Sequence, residues 1–246
     1  MSAPSIFVYA DPDALADAAA DHFVELVSAA IALRGSAAVA LAGGSTPRAM
    51  NARLAAAPRA GLVDWSKVRF FFGDERCVPP DDAESNYRMT RETLFDPLAI
   101  AAEQIVRIAG EEEPLAAATA YNARLASDLG QPPIFDIVYL GMGPDGHTAS
   151  LFPGTIAALD TTRYAVANFV PKFNSYRITL TPRVLNAAHH VTITVAGAEK
   201  AESLAAVISG PHDPNRFPAQ LVAPTNGELH WLVDAAAAAR LNLPVS

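Results

Sequence analysis

Asp145-Gly146-His147 puts a carboxylate and an imidazole two positions apart in the stretch GMGPDGHTASLFPG (Gly141–Gly154). An imidazole can take up and return a proton near neutral pH, and a neighbouring carboxylate orients it or stabilises its protonated form. The stretch directly follows IFDIVYL (Ile134–Leu140), an apolar run that reads as a strand. A histidine merely hydrogen-bonded in a turn is the alternative, and the flexible setting at a strand end favours the base. Gly141 to Gly146 also spells G-x-G-x-x-G. A dinucleotide-binding turn has that pattern in the first strand–helix connection, with an acidic residue about 20 positions on. Here the match falls past the chain midpoint, Asp145 would repel a pyrophosphate, and Asp160 comes too early. The three glycines therefore match that pattern by coincidence.

Three further loops carry charge. Gly43-Gly44-Ser45-Thr46-Pro47-Arg48 follows the apolar run AAVALA (Ala37–Ala42) and opens a helix. Glycines let backbone approach a ligand, Ser45 or Thr46 can cap the helix and offer a hydroxyl, and free N–H groups at a helix start favour an anion. Arg48 adds a full positive charge, so the segment reads as a phosphate cradle or as a plain capped turn. It is not a Walker loop, because no G-K-[ST] follows. Gly73-Asp74-Glu75-Arg76 comes after VRFFF (Val68–Phe72) and suits substrate hydroxyls and carbonyls, a charge partner for a catalytic group, or a local ion pair. Lys200, in AGAEKA after VTITV, sits in a first helical turn, where it can reach a helix-bound phosphate or lie on the surface. Arg177 starts a strand as a second anion contact or an edge charge. Cys77 has neither a base nor a depressed pKa written beside it and reads as incidental. His189-His190 precedes a strand and points its rings to opposite faces, so this pair is not expected to share a metal. Neither H-E-x-x-H nor C-x-x-C occurs. Asp74, Glu75, Asp145 and His147 offer donors for a divalent ion, but the expectation is acid–base chemistry with no metal and no cofactor.

These loops need strands that deliver them to one edge. Ile6–Tyr9, Ala37–Ala42, Val68–Phe72, Ile134–Leu140, Arg163–Asn168, Arg177–Leu180, Val191–Val195 and Leu229–Val233 all read as strands. Helical spacing places Leu15, Ala19, Phe23, Leu26, Val27 and Ala30 on one face, and helices are also expected from Pro47 onward and over Asn86–Leu94, Leu115–Leu129, Ala198–Ile208 and Ala235–Leu241. Alternating strands and helices imply one α/β domain spanning 1–246, with a mostly parallel open sheet covered by helices on both faces. Ligands of such sheets sit beyond the carboxyl ends of the strands.

Bulk composition narrows the partners. The 246 residues are 51% apolar and 18% charged, so the chain folds, and the net charge of −8 without a basic run argues against nucleic acid and gives no reason to expect a membrane surface. No apolar run reaches the length of a membrane span, and MSAPSIFVYADPDA lacks the pattern of a signal peptide. Cys77 is the only cysteine, which rules out an intrachain disulfide and suits a reducing, cytoplasmic setting.

Four segments, LAGGSTPR (Leu41–Arg48), FFGDER (Phe71–Arg76), GMGPDGHTASLFPG and AGAEKA (Ala196–Ala201), together resemble the 6-phosphogluconolactonases. SNYRM (Ser85–Met89), RITLTPRVLNAA (Arg177–Ala188) and WLVDAAA (Trp231–Ala237) extend the likeness over nearly the whole chain, in order. The resemblance implies a Rossmann-like fold shared with glucosamine-6-phosphate deaminase and hydrolysis of 6-phospho-D-glucono-1,5-lactone by a cytosolic, metal-independent, monomeric enzyme. It makes His147 the general base, with Asp145 orienting it. Asp74 and Arg76 fall at the reacting end, and Gly43, Gly44, Ser45, Arg48 and Lys200 fall at the phosphate, with Arg177 behind them. The deaminase version of the loop reads D-G-H-I-A-F-N-E-P, and its glutamate falls on Phe152 here. A phenylalanine cannot transfer a proton, which separates the two chemistries. A non-catalytic sugar-phosphate sensor would need the phosphate grip but not the base.

Overall fold

The computed structural model describes residues 4–242, so the first three residues of the N-terminal stretch lie outside it. Strand β1 (Ser5–Tyr9) leads into α1 (Pro12–Arg34). Asp11 caps α1 by accepting from the Ala14 N–H at 2.8 Å, and Gly35, at φ 81°, ends it. All six positions read at helical spacing in α1 are buried. The chain continues through β2 (Ala37–Leu41), α2 (Ser45–Leu54), β3 (Val68–Phe72), β4 (Asp74–Arg76), α3 (Asn86–Thr90) and α4 (Pro114–Leu129). Then follow β5 (Ile137–Gly141), β6 (Ala165–Val170), β7 (Ser175–Leu180), α5 (Pro182–Leu185), β8 (His190–Val195), α6 (Ala201–Ser209), β9 (Glu228–Asp234) and α7 (Ala235–Ala238).

Six strands form one sheet in the order β1-β9-β8-β5-β2-β3, every neighbouring pair parallel. Strands enclosed in this way need unbroken apolar runs, and Phe70, Phe71 and Phe72 of β3 are all fully buried. One continuous apolar core joins the sheet to its helices. From β2 the chain moves outward to β3, then returns to β5 and proceeds to β8 and β9 on the other side. The direction reverses between β2 and β5, and their ladder is short, with only Val39↔Ile137 and Ala40↔Val138 paired. A crevice at the carboxyl ends is expected at such a point.

Beside this sheet lies a small antiparallel one, β4-β7-β6, that the sequence pattern did not indicate. Gly73–Arg76 reads as loop because three residues are too few to show a period. Pairing with β7 across about a hundred residues makes Asp74–Arg76 a strand. Strand β5 begins at Ile137 rather than Ile134. Asp136 is used instead to accept from the Ala38 N–H at 2.7 Å and to pair with Arg34 at 2.5 Å. The helix expected over 86–94 is α3 followed by a wider π-type turn at Arg91–Phe95. No described helix is long and apolar enough to cross a membrane.

Candidate active site

A cavity of about 620 Å³ opens at the reversal point. It is lined by Gly43, Gly44, Ser45 and Thr46 after β2, Asp74 and Arg76 of β4, and Gly141 to Pro144 with His147 after β5. Arg177 of β7 and Lys200 beyond β8 complete its charged wall. Eight of the ten residues singled out from the sequence line this one space. Asp145 stands behind His147, and Arg48 is exposed outside the lining. A second cavity, of about 380 Å³ beside Val207 and Trp231, has no Asp, Glu, Lys or Arg in its wall.

The glycines around His147 serve the imidazole. A Cβ on Gly143 would lie 2.1 Å from His147 Cε1, and Gly146 turns the chain at φ 74°. The Gly143 N–H donates to the His147 carbonyl at 2.9 Å and closes the loop. His147 Nδ1 faces Asp145 Oδ1, and Lys172 Nζ holds the other carboxylate oxygen at 2.9 Å. Burial pushes the Asp145 carboxyl up, but the bond to His147, its charge and Lys172 outweigh this and hold the group well below the usual carboxylate range. Phe152 lies flat on the imidazole, ring centroids 4.0 Å apart at 25°, and Phe173 meets Phe152 edge-on at 5.6 Å. With Nδ1 committed to Asp145, Nε2 is the nitrogen left to act on a substrate.

Alternation along β4 separates its two carboxylates. Asp74 Oδ2 accepts from Ser150 Oγ at 2.5 Å, and Asn86 Nδ2 donates to the Asp74 carbonyl at 2.9 Å and to Oδ1 at 3.3 Å. A Cβ on Gly43 would sit 1.7 Å from Asn86 Oδ1, so the bare glycine admits this asparagine. Glu75 points away from the cavity and is 2% exposed. Its carboxylate accepts from the backbone N–H groups of Asn86, Tyr87 and Arg76, each at 2.8 Å, and from Ser85 Oγ at 3.1 Å. Burial raises the Glu75 pKa, with the three N–H groups opposing it. Glu75 is thus the anchor for the start of α3.

Arg76 and Arg177 are register partners across β4 and β7, and both face the cavity. Like charges directly opposite destabilise a strand pair, which an anion between them would reverse. Arg177 is held by Ser175 Oγ at 2.8 Å and lies over the Phe173 ring at 5.4 Å. Burial, then Arg76, pulls its pKa down. Sequence reasoning missed Lys172, Asn86, Ser150 and the stacking of Phe152. Ser150 and Phe152 lie inside the motif already in view, whereas Lys172 sits in the turn Pro171–Phe173 between β6 and β7 with no local signal.

The profile of the family described as glucosamine-6-phosphate isomerases/6-phosphogluconolactonase matches residues 10–231. The chain is 44% identical over 178 residues to the 6-phosphogluconolactonase of Treponema pallidum (strain Nichols), covering 71% of this chain and 73% of that protein. It is 40% identical over 246 residues to the 6-phosphogluconolactonase of Mycobacterium tuberculosis, covering 96% and 98%. Its fold superposes on the solved 6-phosphogluconolactonase of Trypanosoma brucei with a TM-score of 0.86 at 32% identity, covering 97% of this chain and 98% of that one. The chain belongs to the glucosamine-6-phosphate isomerase/6-phosphogluconolactonase family.

Proposed function

We propose that this chain hydrolyses 6-phospho-D-glucono-1,5-lactone to 6-phospho-D-gluconate, the second step of the oxidative pentose phosphate pathway, in the cytoplasm. His147 Nε2 takes a proton from water as the water oxygen attacks the lactone carbonyl carbon. The charge that develops on the carbonyl oxygen is offset by Arg76, with Asp74 positioning the reacting end through sugar hydroxyls. Collapse of the tetrahedral intermediate breaks the bond to the ring oxygen, which takes its proton from the imidazolium and leaves as the sugar hydroxyl. The start of α2, with Ser45 and Thr46, and Lys200 receive the phosphate, and Arg177 adds a second cation.

The observation that carries this reading is the imidazole clamped between Asp145 and Phe152 at the edge of a cation-lined cavity. Phe152 also occupies the position of the deaminase glutamate, so ring-opening proton transfer lacks its group. The test generates the lactone in situ from glucose 6-phosphate and reads 6-phosphogluconate with the next dehydrogenase. Hydrolysis above the spontaneous rate is expected, and His147→Ala should lose nearly all of it while still binding product. Wild-type turnover in His147→Ala would remove the base assignment. Ammonia released from glucosamine 6-phosphate, without lactone hydrolysis, would replace this reading with the deaminase one.

A further inference from the structure

At the opposite end of the sheet, where β8 and β9 begin, three histidines and a glutamate gather. His190 and Glu228 are register partners on adjacent parallel strands, and His230 lies two positions after Glu228, on the same face. His190 Nδ1 is 3.3 Å from Glu228 Oε2, and His230 Nε2 is 3.6 Å from the same oxygen. One donor atom from each of the three residues falls within 4.8 Å of the others. Nitrogen and oxygen ligands about 2.0–2.1 Å from a tetrahedral zinc ion stand about 3.3 Å from one another. Two edges of the triangle are therefore already near the length that coordination requires.

Other features of the cluster favour a cation over an ordinary ion-pair network. Among the described residues, the ion-pair partners of Glu228 are these two imidazoles, and neither is a lysine or arginine. His190 Nδ1 is buried without a hydrogen-bond partner although it lies 3.3 Å from the carboxylate. His22 of α1 closes the inner side, its ring edge-on to His230 at 4.9 Å and its Nε2 3.2 Å from Thr192 Oγ1. Glu228 is 58% exposed at its side chain, which leaves an entry path and room for water ligands.

We infer that His190, Glu228 and His230 form a site for a late first-row divalent cation of the zinc class, clamping β8 to β9. Two imidazoles and one carboxylate are a borderline donor set that suits zinc better than calcium or magnesium. The site lies a strand's length, about 17 Å, from the carboxyl-end cavity. It draws on His190 with residues of β9, not on the tandem His189-His190 pair.

The test uses tag-free, chelator-stripped protein titrated with zinc against a chromophoric chelator. A His147→Ala background removes the only other imidazole beside carboxylates at the cavity. One zinc per chain with a micromolar or tighter Kd is expected in that background. Glu228→Gln, His230→Gln and His190→Gln should each weaken it at least tenfold. Zinc at a hundred times Kd should raise Tm by roughly 5–10 °C in the parent and much less in the ligand variants. In the unmutated chain, which does not depend on the folding of any variant, zinc should shift the ring NMR signals of His190 and His230. Equal affinity in parent and ligand variants would overturn the assignment. So would zinc binding that disappears with His147→Ala, or ring signals of His190 and His230 unmoved at saturation.

Discussion

Replacing Arg177 by methionine separates the cost of the arginine pair from its use. Without ligand, Arg76 and Arg177 oppose each other across β4 and β7, a repulsion worth about 0.2–1 kcal/mol. Against its relief stand the bonds from Arg177 Nη1 to Ser175 Oγ and the Tyr176 carbonyl, at 2.8 and 3.1 Å, and the stack on Phe173. Each of these contributes about 0.5–1 kcal/mol. The lost contacts outweigh the relieved repulsion by about 0.5–3 kcal/mol, so the ligand-free Tm of Arg177→Met should fall by roughly 1–11 °C. The ligand-bound state should differ sharply. A hydrogen bond from a cation to an anionic ligand is worth about 1.5–3 kcal/mol, or roughly ten- to a hundredfold in affinity. At a product concentration of a hundred times the wild-type Kd, wild type gains about 2.7 kcal/mol of stability. The variant would gain about 1.4 kcal/mol if its affinity falls tenfold and about 0.4 kcal/mol if it falls a hundredfold. Thermal unfolding with and without 6-phosphogluconate reads this directly, and the product-induced rise in Tm should fall to half or less. A full wild-type rise in Arg177→Met, with KM for the lactone unchanged, would refute the claim that the facing arginines hold an anion.

Lys200→Ala should raise KM at least tenfold, and Arg48→Ala by a clearly smaller factor, because Lys200 lines the cavity and Arg48 lies outside it. Equal increases in steady-state KM would move the phosphate toward the outer face of α2. Phe152→Leu removes the ring that lies on His147 and should lower kcat up to about tenfold with little change in KM. A wild-type kcat would mean that Asp145 and the loop alone orient the imidazole. The pH dependence of Asp145 has a definite sign. Its folded pKa is depressed, so its contribution to stability is full above the ordinary value of about 3.9 and is lost as pH falls through and below it. The stability lead of wild type over Asp145→Asn, from urea unfolding, should therefore shrink between pH 6 and pH 3, and an equal lead at both would contradict the pairing.

What could be read in advance divides by how far each residue's partner lies along the chain. Buried parallel strands announce themselves locally, so VRFFF and VTITV were legible as sheet, and their loops as the ligand edge. His147 was legible because Asp145, its orienting partner, is two residues away. Arg177 read as either a second anion contact or an edge charge, because its meaning depends on Arg76 standing opposite. That in turn depends on a three-residue strand too short to show any period. The same gap hid the division of labour between Asp74 and Glu75, which follows from alternation once β4 is known to exist. Lys172 reaches Asp145 from a turn whose only visible feature is a proline. Arg48 is exposed and lies outside the cavity lining, and nothing local to LAGGSTPR shows which side of the helix it takes.

The ordered resemblance of four loops supplied what local pattern lacked, since segments retained together in one order carry the tertiary arrangement that brings them together. It is silent where no motif was in view. Glu228-Leu229-His230 has the two-residue spacing that puts both side chains on one face of a strand, and this much was written locally. The third donor, His190, comes from 38 positions earlier and meets them only through the β8–β9 register. A cluster assembled by strand pairing, at the end of the sheet away from the ligand loops, is the kind of site that sequence motifs leave unmarked.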